Sequence, residues 1–381
     1  MGSRRIKIIV TLLAVAAVAA AFFLRPKHFN VDRTQYELVS LHKPEYRSSL
    51  VCAINRSGIS VGRIEYPDGK TEIVKWYPDG TREVVSMPEN DRVLYPGDIN
   101  DKGDIVGYFQ SQQGYLVDDS FHWNSVGGFQ LLRVCETFQA TVDDLSGISI
   151  NDEGRISGTY YNNSFRKFGV YSFDPTDGLC DIGSLGSSYV LRGGMNEEGM
   201  IVGWSGTPGG TFHAFLWTKR DGIKDIHSVV DPQALSTQAR AISFDGWILI
   251  QASYRKGNNR IIWYHPEKGI GPSFPFNEWI LDIMPVASEA RFVVQSEKPG
   301  WTIGNIILRP SVQNYWILDY GCNPVLIAPK VLSGKSWNIV GMTDQGLIVG
   351  SFEYKTINGV NQFCSQAFLL RPIRPADPAG K

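Results

Sequence analysis

The chain contains few of the residues that build metal centres and covalent catalytic sites. Among its 381 residues are only five cysteines and six histidines. The cysteines include no C-x-x-C pair, and the histidines lack the spacing of metal ligands. The sequence also has no glycine-rich phosphate loop, no G-x-S-x-G nucleophile elbow and no H-E-x-x-H pair. We therefore expect neither a metal ion nor a cofactor.

Neither sign of charge is in clear excess. Lysine and arginine together number 37 and aspartate and glutamate 38, which gives a net charge of −1. Five of the basic residues lie within the first 27 positions, so the rest of the chain carries six more acidic than basic side chains. A protein that binds nucleic acid needs a basic surface to meet the phosphates. Nucleic acid is therefore not an expected partner.

Long hydrophobic runs are also scarce, and the exception lies at the N terminus. Residues 8–24 are uncharged and mostly apolar, with three basic residues before them and two after them. This pattern predicts a hydrophobic helix within residues 1–28, either an uncleaved membrane anchor or a signal peptide cut near residues 19–21. In both cases we expect the rest of the chain outside the cytoplasm. The protein is expected to be held at the membrane if the leader is uncleaved, and to be secreted if the leader is cleaved.

A ten-residue phrase recurs along the chain. It occupies residues 53–62, 98–107, 149–158 and 194–203, with weaker copies at 241–250 and 341–350. The steps between the glycines that close the turn are 45, 51, 45 and 47 residues for Gly58, Gly103, Gly154, Gly199 and Gly246. Repeats of this length are typical of propeller blades.

Each copy of the phrase predicts a β-hairpin. An asparagine stands three residues before the glycine in four copies, at Asn55, Asn100, Asn151 and Asn196. Asparagine bonds to nearby backbone and glycine adopts positive φ, so both types favour a tight turn. We prefer this interpretation to a calcium loop, which needs clustered oxygen ligands.

Two further strands follow each hairpin. The third strand carries a tryptophan in four units, and we expect these rings to pack between adjacent sheets. They are Trp76, Trp123, Trp217 and Trp263. Four antiparallel strands per repeat make one blade, so the sequence predicts an all-β propeller.

The spacing predicts seven blades within residues 30–372. A decayed copy at 286–294, with Ala290 in place of the glycine, fills the gap between Gly246 and Gly346. The last unit ends after its third strand near Leu370, and residues 36–41 resemble a fourth strand. We expect this N-terminal strand to complete the last blade and close the ring. Residues 373–381 are predicted to form a disordered tail.

One segment carries a family resemblance. Residues 212–217, Phe-His-Ala-Phe-Leu-Trp, make the chain similar to the HAF-repeat proteins, predicted extracellular bacterial proteins named for their His-Ala-Phe tripeptide. Residues 365–370 keep the Ala-Phe pair, and the resemblance covers roughly residues 50–371. It implies export and a propeller-like repeat, and it brings no activity or catalytic residues. We expect His213 to be structural.

Aromatic residues mark the loops that are predicted to gather on one face of the propeller. The loops between second and third strands share that face with the connections between blades. Rings with asparagine and glutamine neighbours suit stacking on sugars or holding a peptide. The predicted ligand-binding residues are Tyr108, Tyr160, Tyr161, Trp204, Tyr254 and Tyr354.

The sequence leaves three functions open. The first is a binding module, tethered to the membrane by the leader, that holds a glycan or a protein on this loop face. The second is a glycan hydrolase or lyase with acids from different blades at the channel mouth, where paired acids at 118–119 and 143–144 are candidates. The third is a structural component of the cell envelope. Two carboxylates facing each other in the channel mouth would favour the enzyme.

Overall fold

The computed structural model is a β-propeller of seven four-stranded antiparallel sheets. The structure describes residues 36–85, 92–111, 117–162, 164–255, 258–276, 278–286, 291–298, 301–303, 306–309, 312–320, 325–326, 337–355 and 363–373. The predicted all-β fold, blade number and strand count per blade are confirmed. The predicted leader helix and the tail after residue 373 lie outside the described residues.

Blades 1 to 3 each consist of four consecutive strands, running from the channel outward. Blade 1 contains β2 (Ser48–Ile54), β3 (Ser60–Glu65), β4 (Thr71–Trp76) and β5 (Arg82–Val84). Blade 2 contains β6 (Arg92–Ile99), β7 (Ile105–Ser111), β8 (Val117–Asn124) and β9 (Gly128–Leu131). Blade 3 contains β10 (Thr141–Ile150), β11 (Ile156–Asn162), β12 (Lys167–Asp174) and β13 (Gly178–Asp181). A short helix, α1 (Val134–Phe138), joins blades 2 and 3.

Blades 4 to 6 continue the same order. Blade 4 contains β14 (Val190–Met195), β15 (Ile201–Gly206), β16 (Phe212–Thr218) and β17 (Gly222–Asp225), and α2 (His227–Val230) follows it. Blade 5 contains β18 (Ser236–Ile242), β19 (Ile248–Ser253), β20 (Asn259–His265) and β21 (Gly269–Pro275). Blade 6 contains β22 (Trp279–Pro285), β23 (Arg291–Lys298), β26 (Val312–Asp319) and β27 (Val325–Leu326), with an inserted hairpin of β24 (Trp301–Ile303) and β25 (Ile306–Arg309).

Blade 7 joins the two ends of the described chain. It contains β28 (Trp337–Met342), β29 (Ile348–Lys355), β30 (Phe363–Pro372) and, as its outer strand, β1 (Tyr36–Ser40). β1 pairs with β30 from Tyr36 opposite Pro372 to Ser40 opposite Phe368. The predicted closure of the ring by the N-terminal strand is therefore confirmed.

The repeated phrase forms the hairpin between the first two strands of its blade, and close neighbours explain its last glycine in blade 2. The register of β6 against β7 shifts between Pro96 and Asp98, and blades 1, 4, 5 and 7 show the same shift, although blade 5 has Ile250 in place of the glycine. A Cβ at Gly107 would lie 2.1 Å from the carbonyl oxygen of Tyr95 and 2.8 Å from the ring of Phe121. Only glycine leaves room for both neighbours.

The core lies between adjacent blades. The four repeated tryptophans are buried, as predicted, with Trp76 2 % and Trp263 0 % exposed. One cluster joins Val51 and Ile64 of blade 1 to Val349 and Leu369 of blade 7. Each sheet thus buries one apolar face against the next, and the last against the first.

Candidate functional site

The two faces of the propeller differ in chemistry. The hairpins of the repeated phrase and the turns between third and fourth strands lie on one face, here called the turn face. The loops between second and third strands and the connections between blades lie on the other, the loop face. The repeated-phrase hairpins also surround a cavity of about 360 Å³ in the central channel.

The asparagines of the repeated phrase join neighbouring blades. Asn100 Oδ1 accepts the backbone N–H of Asp104 at 2.8 Å, which confirms its predicted role in the turn. Its Nδ2 donates to the carbonyl oxygen of Asn151 in the next blade at 3.0 Å. Asn55 and Asn151 make the same two kinds of bond. We call the bonds between blades stitches, a role that sequence analysis did not assign to these residues.

The last stitch joins blade 3 to blade 4, and no stitch joins blade 4 to blade 5 among the described residues. Asn196 keeps the turn bond, in which its Oδ1 accepts the N–H of Met200 at 3.0 Å. Its Nδ2 is buried and finds no acceptor among the described residues. In blade 5, Ser243 stands at the asparagine position and Phe244 follows it. The change of sequence there coincides with the loss of the stitch.

The residue after each asparagine lines the channel at the turn face. Asp101, Asp152 and Glu197 each accept the backbone N–H of the equivalent residue in the preceding blade, at 2.8–2.9 Å. The Arg56 guanidinium pairs with Asp101 and Asp152 and lies 3.9 Å from the ring centroid of Phe244. These carboxylates therefore bind the protein's own donors.

Asp98 is a further carboxylate in the channel wall. It accepts the backbone N–H groups of Ile99 at 2.9 Å and Ile150 at 3.0 Å. Burial raises its pKa to about 6, and these two bonds oppose the rise. Burial also raises the pKa of Glu197. Among the described residues, no three or more His, Cys, Asp or Glu side chains are arranged to hold a metal ion.

Aromatic rings form a continuous line on the loop face of blades 3 and 4. The ring centroids of Tyr161 and Phe168 are 4.8 Å apart, those of Phe168 and Tyr189 5.1 Å, and those of Tyr189 and Phe212 5.5 Å. Tyr189 and Phe212 are each 37 % exposed, and the other two are half-buried. We call these four residues the aromatic ribbon. Contiguous rings at a surface are typical of an interaction site.

The backbone beneath the ribbon is fixed by hydrogen bonds. The N–H of Phe168 donates to Ser188 O at 2.9 Å, and the N–H of Gly206 donates to Tyr189 O at 2.8 Å. The loops at 183–189 and 207–211 consist mainly of glycine, serine and threonine. The ribbon is therefore a preformed apolar strip bordered by hydroxyl groups.

The turn beside the ribbon presents a further aromatic ring. Phe165 is 76 % exposed at its tip. Asn162 holds this turn, since its Oδ1 accepts the N–H of Phe165 at 3.0 Å and its Nδ2 donates to Phe138 O at 2.8 Å. Arg166 adopts a left-handed φ of 48°, which is uncommon outside glycine. The turn is thus held in a defined shape with an exposed ring.

Tyr161 is the sequence-predicted site residue that lies in the ribbon. Its chain neighbour Tyr160 points to the other side of β11 and is 4 % exposed. The Tyr160 ring stacks on Phe138 at 4.7 Å, and its Oη donates to Asp181 at 2.9 Å. Tyr160 therefore packs inside the protein.

The other predicted residues are dispersed. Tyr108 stacks on Tyr95 in blade 2 with ring centroids 5.2 Å apart. The guanidinium of Arg240 lies 4.9 Å from the ring centroid of Trp204. Tyr254 donates a hydrogen bond to Asp231 beside blade 5. The side chain of Tyr354 lies outside the described residues. Ligand contact by these four side chains stays a prediction.

Sequence reasoning missed three of the four ribbon residues. Phe168 and Phe212 begin third strands, and Tyr189 ends a connection between blades. The sequence predicts packing between sheets only for the four tryptophans of the third strands, and it makes no prediction for the residues that begin these strands. An aromatic residue at the first or second position of a third strand was the available signal.

The chain shares the propeller fold with solved structures at low sequence identity. No protein-family model matches the sequence, and no match to a curated protein was found. An oligogalacturonate lyase in complex with manganese is 10 % identical with a TM-score of 0.51, over 91 % of this chain and 96 % of that one. AofleA from Arthrobotrys oligospora is 14 % identical with a TM-score of 0.42, over 77 % and 90 %. Aleuria aurantia lectin is 10 % identical with a TM-score of 0.37, over 88 % and 99 %.

The similarity to the oligogalacturonate lyase bears on the fold alone, because the sequence identity is so low. Within the residues that the structure describes, no helix has the length and apolar character of a membrane span.

Proposed function

We propose that this protein is an exported propeller that binds a glycan across the aromatic ribbon of its loop face. The observation that carries the proposal is the unbroken contact of four partly exposed rings from Tyr161 to Phe212. Aromatic rings at a surface give a large, rigid contact area, which suits the apolar faces of sugar rings. The binding module predicted from the sequence is thus located at the aromatic ribbon.

The surroundings of the ribbon favour a glycan over an apolar peptide groove. The adjoining loops carry hydroxyl groups at Ser187, Ser188, Thr207 and Thr211; Ser187 accepts the N–H of Tyr189, and Thr207 and Thr211 bond to each other at 3.0 Å. A hydroxyl both donates and accepts a hydrogen bond, as the hydroxyls of a sugar also do. Small residues in these loops let an extended ligand approach the backbone closely. An uncharged or weakly charged oligosaccharide is the ligand class that we expect.

The alternative of a glycan-active enzyme has less support from the channel. The acids at its mouth accept backbone hydrogen bonds from the neighbouring blade, and Arg56 binds two of them. A catalytic pair needs one carboxyl that can give a proton to the substrate and one free to attack it or activate water. Engagement by the protein's own donors favours a structural role for these side chains.

Export, membrane attachment and membership of the HAF-repeat family remain part of the proposal. The basic and apolar pattern of residues 1–28 supports export. β1 starts at the turn face, where Tyr36 lies opposite Pro372. A leader held in a membrane would therefore join the propeller at the turn face, on the side opposite the ribbon.

A glycan array with matched variants tests the proposal. The full-length protein is screened, and each glycan that binds is titrated against wild type, Tyr189→Ala and Tyr77→Ala. Tyr77 is a tyrosine on the turn face, hydrogen bonded to Glu83. We expect Tyr189→Ala to weaken binding about tenfold or more, because it interrupts the ribbon, and Tyr77→Ala to leave it unchanged. Equal effects of the two substitutions, or no bound glycan, would contradict the proposal.

A further inference from the structure

Two stacked histidines lie next to the aromatic ribbon, where blade 4 meets blade 5. The rings of His213, in β16, and His227, the first residue of α2, are 4.0 Å apart at their centroids and inclined by only 9°. His213 directly follows Phe212, the last residue of the ribbon. The side chains of Phe212 and His213 point to opposite sides of β16, so a change of charge on this pair reaches the proposed ligand site through the backbone of that strand.

His213 has a partner for each ring nitrogen. Its Nδ1 lies 2.7 Å from Asp225 Oδ2, and its Nε2 lies 3.3 Å from Thr211 Oγ1. Asp225 also accepts the backbone N–H of His227 through Oδ1 at 2.9 Å. Both partners of His213 can accept hydrogen bonds, so its ring is held in place from β17 and from the loop at 207–211.

His227 is suited to remain neutral. Its Nδ1 lies 3.0 Å from Oγ1 of Thr237, in the first strand of blade 5, and Thr237 is fully buried. The same oxygen accepts the N–H of Ala214 at 3.0 Å, so the hydroxyl hydrogen is left to donate to a neutral Nδ1 of His227. Protonation turns Nδ1 into a donor and deprives a buried hydroxyl hydrogen of its acceptor.

The groups around His227 shift its pKa in opposite directions. Burial and the adjacent His213 lower the pKa of His227, and the carboxylates of Asp225 and Asp231 oppose that shift. Asp231 accepts a hydrogen bond from Tyr254, which in turn lies near Arg260. Two protons on parallel rings at this distance repel each other, because like charges meet in a partly desolvated place.

We propose that the His213–His227 pair is an acid-sensitive latch between blades 4 and 5. While His227 is neutral, its bond to Thr237 holds α2 and the start of β16 against blade 5. A proton on Nδ1 of His227 makes this nitrogen a donor and leaves the buried hydroxyl hydrogen of Thr237 without an acceptor, which loosens the seam and displaces Phe212 from the ribbon. The latch itself is independent of any ligand. Its control over glycan affinity rests on the proposed function.

The sign of the effect follows from the neutral state of His227. Free histidine takes up a proton near about pH 6.5, so an unfolded or locally open chain binds more protons in mildly acid solution than the closed seam does. Stability of the closed seam is therefore full above that pH and falls as pH drops below it. Opening increases on acidification.

Hydrogen exchange tests the latch without ligand. Exchange of residues 212–216 is measured in the full-length protein at about pH 7.5 and about pH 5, corrected for the intrinsic pH dependence. We expect opening to rise about tenfold at the acid pH in wild type and in the distant control His122→Gln. In His213→Gln, which removes the stacked ring, the rise should be smaller, because only burial still disfavours a proton on His227. No rise in wild type, or an equal rise in His213→Gln, would overturn the latch.

The effect of the latch on the ribbon is tested by measuring glycan affinity at two pH values. For a glycan that binds at about pH 7.5, we expect affinity to fall at about pH 5 in wild type and to fall less in His213→Gln. An unchanged affinity while residues 212–216 open would overturn the control of binding and leave the latch intact. If no glycan binds at all, the proposed function fails, and the exchange experiment still decides on the latch.

Discussion

The last glycine of the repeated phrase lies where the fold leaves no space for a Cβ atom. A Cβ at Gly203 would lie 2.1 Å from the carbonyl oxygen of Leu191 and 2.7 Å from the ring of Phe215. We predict that Gly203→Ala lowers the free energy of unfolding by about 2–4 kcal/mol, because backbone and core must both shift. Urea denaturation measures this loss. Gly209→Ala, where a Cβ would meet only Thr207 Oγ1 at 3.6 Å, should cost less than about 1 kcal/mol.

Asp174 provides a prediction about pH. It accepts the N–H of Thr176 at 2.9 Å and pairs with Arg155 and Lys219, each at 3.2 Å. That bond and those cations lower its pKa to about 2. The stabilisation is therefore full above about pH 4 and is lost as pH falls through about 2. Asp174→Asn should cost about 1 kcal/mol at neutral pH in urea denaturation. A difference from wild type that persists near about pH 2 would contradict this account.

At the scale of the hairpin, a substitution can separate the turn from the stitch. Asn100→Asp keeps an oxygen for the N–H of Asp104 and replaces the donor to Asn151 O by a second oxygen. We predict a loss of about 1–3 kcal/mol in the free energy of unfolding, because the new carboxylate then faces the carbonyl oxygen of Asn151 and the carboxylate of Asp104, both of which accept from Asn100 Nδ2. Urea denaturation of Asn100→Asp measures this loss. Asp101→Asn, which keeps the stitch, is the control. An unaltered stability of Asn100→Asp would show that the asparagine serves the turn alone.

The strands of most blades could be predicted because the phrase and its spacing are local patterns. The inserted hairpin β24–β25 was missed, since residues 301–309 carry no trace of the phrase. The stitches were missed for a different reason. A pattern within one blade does not reveal which atoms of the next blade it meets. The ribbon was even harder to predict from the sequence, because its members are far apart in the chain. They come from three strands and one connection: Tyr161, Phe168, Phe212 and Tyr189.

At the scale of the whole molecule, β1 closes the ring. Its removal would expose one edge of β30 and uncover the cluster that includes Leu38 and Phe368. We predict that deletion of residues 1–40 lowers the melting temperature by about 10 °C or more and promotes association through the open edge. Deletion of residues 1–34, which keeps β1, should do neither. Calorimetry and size-exclusion chromatography of the two truncations make the comparison.

The molecule divides its tasks between two faces. The turn face carries the repeated asparagines and acids, which bind neighbouring blades. The loop face carries segments that differ between blades, and the ribbon occupies only blades 3 and 4. The variable loops are where the sequence predicts function, and the ribbon is a specific surface among them. Under the proposed function, the location of the ribbon on two of seven blades predicts one bound glycan per propeller rather than one per repeat.

The footprint of a bound glycan is the most direct test of this account. Hydrogen exchange of the full-length protein is compared with and without saturating ligand. We predict protection of residues 183–189 and 207–211, which border the ribbon, because a bound glycan shields their backbone and hydroxyl groups. The repeated hairpins of the turn face should exchange as before. Protection confined to those hairpins and the channel, with the ribbon loops unchanged, would contradict the assignment of the loop face as the binding surface.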